Sequence, residues 1–117
     1  MAIDLDVQAL TTQMLGAAVP ILKTGATSIE SFAKAEFTQI AQRIVSIGEQ
    51  LAEGAAGLPG GIDEDQARLL LDMQKHASRS ALLTVQGLGL LVVEQAINTA
   101  LDVVSGTVNK ALGFALL

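Results

Sequence analysis

The chain of 117 residues contains no cysteine, no tryptophan and no tyrosine, and only two prolines, one histidine and three phenylalanines. Without cysteine there are no disulfides, no zinc–thiolate sites and no thiol chemistry, and the redox compartment is left open. Basic residues are scarce too, seven against twelve acidic ones for a net charge of −5. Because they are scattered along the chain, no basic stripe exists to follow a phosphate backbone, and nucleic acid is not expected as a partner. The opening MAIDLDVQAL carries Asp4 and Asp6 where a secretory signal carries Lys or Arg. A cleaved signal is therefore not expected, and the sequence assigns the chain to the cytoplasm.

What the chain has in excess is apolar side chains. Half of its residues are hydrophobic and its mean hydropathy is +0.49. One domain over residues 1–117 is the natural reading at this length, and so small a domain buries only about two thirds of its unfolded surface. The surplus predicts a second covering surface, either another copy of the chain or lipid.

Between Arg79 and Glu94 the run SALLTVQGLGLLVV carries no charge. It is shorter than the about 20 residues that span a bilayer. Lengthening it toward Leu117 brings in Glu94, Asp102 and Lys110, each costing about 2.5 to 3.5 kcal/mol at the membrane centre. Protein is the expected cover. A membrane-associated helix is the alternative, in which Glu94, Asn98, Asp102, Ser105 and Asn109 form one polar side at helical spacing.

Periodicity predicts an all-α fold with helical content far above the globular average of about one third. Ile3, Val7, Leu10, Met14, Ala17 and Ile21 place a first helix over about 4–23, with Pro20 as a kink or stop. Thr27-Ser28-Ile29-Glu30 fits a capping box that opens a second helix over 28–53. Its seam of period 3.5 comprises Ala33, Phe37, Ile40, Ile44, Ile47 and Leu51. GAAGLPGG then forces a turn. Asp63, Glu64 and Asp65 crowd the start of a third helix over 63–86, followed by a fourth over 90–113. Since QGLG is an apolar turn, the last two are expected to run on as one continuous or kinked helix. The architecture is thus a long helical hairpin or a four-helix-type bundle, its core completed by self-association.

Chemistry-bearing patterns are few. Asp72 and His76, four apart, share a helix face, but a ferritin-like di-iron site needs Glu and Glu-x-x-His from several helices. LDMQKH departs from that pattern, and a metal-binding bundle ranks third among the readings. No serine sits in a nucleophile elbow, Glu49 and Glu53 face solvent, and LPGG follows a helix rather than a strand. No catalytic residue, cofactor, metal or small-molecule substrate is expected, and the chain is read as a non-enzyme.

The remaining signal is the apolar helix 81–117. Ala77 with Ala81, Ala96 with Ala100, and Thr107 with Ala111 repeat at four-residue spacing, and with Gly87, Gly106 and Gly113 they allow close helix approach. Self-association is expected through Leu83, Leu88, Leu91, Val92 and Ala96, continued by Leu101, Val104, Val108 and Leu112. The sequence therefore describes a homo-oligomeric helical assembly or interaction protein.

Overall fold

The computed structural model describes residues 5–22, 27–57, 59, 61–84 and 89–117, and the side chains of all of these but 27–30. They form four helices, α1 (Val7–Leu22), α2 (Thr27–Ala55), α3 (Glu64–Leu83) and α4 (Leu90–Leu112), and no strand occurs among the described residues. α1 packs on α2, α2 on α3 and α3 on α4, while α4 packs most extensively on α1 and closes the ring. Short connections between laterally packed helices require antiparallel neighbours. The product is a four-helix bundle measuring 47 × 22 × 20 Å.

α1 starts three residues later than its periodicity predicts, because the Asp6 carboxylate accepts the Gln8 amide at 3.0 Å and caps the helix from outside. Its buried stripe is Leu10, Met14, Ala18 and Leu22, while Ala17 and Ile21 are half-buried. The stripe leans one residue off the expected face because α1 is flanked by two helices rather than one. Pro20 does not stop the helix, which runs two residues beyond it. The capping box expected at Thr27 and Glu30 involves side chains outside the described set.

α2 supplies the centre of the core. Phe37, Ile40, Ile44 and Ile47 are completely buried, as the seam predicts. At its end Gly57 takes a left-handed conformation, φ +74°. The Ile62 amide then donates to the Gln50 carbonyl at 3.1 Å, so the chain reverses against α2 itself. The reversal is tight: a Cβ on Gly54 would lie 2.5 Å from the Ile62 carbonyl oxygen, and one on Gly61 would collide with the Gly54 backbone. α3 opens with a capping box that the sequence reading missed, in which Asp63 Oδ1 accepts the Gln66 amide at 2.8 Å and Gln66 Oε1 accepts the Asp63 amide at 3.0 Å.

Of the two expected architectures the four-helix bundle forms, and the continuous or kinked C-terminal helix does not. α3 ends at Leu83, with the Thr84 hydroxyl donating to the Ala81 carbonyl at 2.6 Å, and α4 begins at Leu90. Arg79 and Glu94 meet at 3.0 Å, whereas fifteen residues of straight helix would hold them about 22 Å apart. Gln86, Gly87 and Leu88 of the QGLG segment lie outside the described residues. The physical reason for the reversal is in α4, which buries Val93, Ala96, Ile97, Ala100, Val104 and Val108 as one face. That face finds its cover on α1 within the same chain, and tertiary burial outweighs the lack of a polar turn.

Small residues serve this packing only in part. Ala96 and Ala100 are buried, but Ala77, Gly106 and Thr107 are exposed. Gly113 acts instead as a C-terminal cap at φ +82°. Beyond it the Asn109 carboxamide accepts the Leu116 and Leu117 amides at 3.0 Å, seating Leu116 against the core.

Candidate functional site

Two surface features are candidates: an apolar end of the bundle and a polar groove along one side. Folding back of α4 divides the expected self-association residues. Ala96, Leu101, Val104 and Val108 are buried in the chain's own core, and Val92 and Leu112 are half-buried. Leu83 and Leu91 remain exposed, at 37% and 80%, and Leu88 lies outside the described residues. The sequence assigned all nine to one surface; in the four-helix bundle, one of the two expected architectures, α1 covers most of that face.

Phe32 and Leu90 were missed, and they are 36% and 50% exposed. Phe32 carried a signal, since it is an aromatic residue one position off the α2 seam. The antiparallel register that brings Gly54 beside Gly61 puts Phe32 level with Leu83, at the end where α3 finishes and α4 starts. Phe32, Leu83, Leu90 and Leu91 therefore share one end of the bundle. No described helix is long and apolar enough to cross a membrane.

The groove lies between α3 and α4. Arg79 is its hub, donating from Nη1 to Glu94 Oε1 at 3.0 Å and from Nη2 to His76 Nδ1 at 2.7 Å. Because a guanidinium only donates, Nδ1 is the acceptor and a neutral His76 ring carries its proton on Nε2. Glu94, Asn98 and Asp102 of the polar stripe on α4 line this groove, Glu94 half-buried and Asn98 and Asp102 exposed to solvent. Asp72 and His76 are exposed and line the same groove. Among the described residues, no three His, Asp or Glu side chains gather as a metal site.

At the lower end Arg68 lies 5.2 Å from the Phe114 ring centroid and within 3.8 Å of Glu64 and 3.6 Å of Asp65. These exposed pairs contribute little to stability. Ser78 is fully buried and accepts from Gln74 Nε2 at 3.1 Å, so its hydroxyl is structural.

Compared with known proteins, the chain matches no family model, no curated protein and no solved structure.

Proposed function

We propose that this chain is a non-enzymatic cytoplasmic assembly protein whose bundle pairs with a second copy through the apolar end formed by Phe32, Leu83, Leu90 and Leu91. The observation that carries the reading is the exposure of Leu91, 80% in a segment without charge. A large side chain left so open at the same end as three other apolar ones is what a covered surface looks like before it is covered. A second copy suits it better than lipid. The chain has no Trp or Tyr to anchor at a membrane interface and a net charge of −5 that anionic headgroups repel. In a two-fold contact a patch faces its own copy, so like charges would meet across it, which favours an uncharged patch; Leu91, the most exposed of the four, is placed nearest the axis.

Light scattering without detergent tests this. Wild type is expected at twice the 12.1 kDa chain mass, and Leu91→Asp at the single-chain mass. Since Leu91 is exposed, the substitution buries no carboxylate within the bundle, and its melting temperature as a single chain should stay close to that of the diluted wild type. Glu49→Lys, on the exposed side of α2, should leave the mass unchanged, as surface changes cost about 0.5 kcal/mol or less. Wild type at single-chain mass, or Leu91→Asp at wild-type mass, refutes the reading. Wild type that is dispersed only by detergent and sediments with liposomes transfers this end to a membrane.

A further inference from the structure

We infer that the α3–α4 groove is a binding site for a small zwitterion of the amino-acid class, separate from the apolar end. Two adjoining cavities, of about 270 and 250 Å³, run along the groove and share Asp72, Lys75 and Asn98. Those three side chains thus form its middle. Among the described residues no side-chain hydrogen bond or ion pair engages any of the three. Arg79, by contrast, is committed to Glu94 and His76. The centre therefore offers one free carboxylate, one free ammonium and one free carboxamide.

Charge selects the ligand. A simple anion drawn to Lys75 meets Asp72 one turn away, and a simple cation drawn to Asp72 meets Lys75. A molecule carrying both charges satisfies both, its ammonium on Asp72 and its carboxylate on Lys75, while the Asn98 carboxamide accepts from the ammonium through its oxygen or donates to the carboxylate through its nitrogen. Below these groups lie Leu71, Ile97 and Leu101, each no more than 6% exposed, an apolar floor for an aliphatic side chain. The Arg79 link between the two helices holds the groove walls in place without using the central groups.

The test is a titration of ¹⁵N-labelled protein with leucine, followed by amide shifts. Saturable shifts confined to residues around 71–75 and 97–101 are expected, with a dissociation constant on the order of 1 mM. 4-Methylpentanoate, which lacks the ammonium, and 3-methylbutylamine, which lacks the carboxylate, should each bind at least tenfold more weakly. Lys75→Met and Asp72→Asn should weaken leucine by a similar factor, since a hydrogen bond to a charged group is lost in each. Both variants should keep the wild-type dispersion of the spectrum, because neither side chain is buried. No saturable shift with leucine tenfold above the expected constant overturns the inference. So does equal binding by either half-ligand, or unchanged affinity in both variants. None of these results bears on the solution mass, so failure here and failure of the assembly reading are distinguishable.

Discussion

Truncating Phe37 to alanine is expected to lower the unfolding free energy by about 3 to 5 kcal/mol, the range for a buried Phe-to-Ala change. Phe37 is the largest of the fully buried side chains, and it lies midway along the seam of α2, the helix that packs against both α1 and α3. Its loss removes apolar burial and leaves a cavity that four helices joined by short connections cannot close. Against a typical domain stability of about 5 to 15 kcal/mol, that is a large fraction. Urea denaturation followed by circular dichroism would show the midpoint falling steeply at unchanged slope. A midpoint within experimental error of wild type would mean that the α2 seam does not face the core.

Gly61→Ala should be nearly as damaging, by about 3 kcal/mol, the upper part of the range for overpacking. The added methyl would meet the Gly54 Cα and N, both backbone atoms with no rotamer to adopt. The α2–α3 reversal would have to open, breaking the Ile62-to-Gln50 hydrogen bond and shifting the register of two helices. Gly106→Ala is the matched control. It lies inside α4 with nothing within 4 Å of an added Cβ, so the change should stabilise by about 0.5 to 1 kcal/mol through lower unfolded-state entropy. Thermal melts of the two variants should move in opposite directions. A Gly61→Ala melting temperature at or above that of wild type would show that the close approach of the two backbones is absent.

Much of the fold is legible in the residues, and the misses share a cause. The seam from Ala33 to Ile47 is buried where its period puts it, and the glycines of GAAGLPGG make the predicted turn, since both features are local. The reversal between α3 and α4 is not local. Nothing between Thr84 and Gly89 reads as a polar turn, and α4 folds back because α1 offers its apolar face a cover. One local pattern did point to it: Arg79 and Glu94 bracket the uncharged run with opposite signs, and they can pair only if the chain turns between them. The same tertiary choice decides the candidate surface. Val104 and Val108 serve the chain's own core once α4 folds back, while Leu91, near the start of that helix, is left outside. The groove was hidden for a similar reason. Asp72 and Lys75 look like an ordinary charged helix face until Asn98 is set opposite them.

The central claim is that two copies meet at the end of the bundle that carries Leu91. Because the chain has no cysteine, one introduced thiol reports on its own surroundings alone. A disulfide between copies requires Cα atoms within about 7 Å of each other. Leu91→Cys should therefore form a covalent dimer quickly under mild oxidation. Met73→Cys, 59% exposed on α3 but away from that end, should remain a single chain on a non-reducing gel. Equal cross-linking at the two positions, or none at Leu91→Cys, would contradict the account.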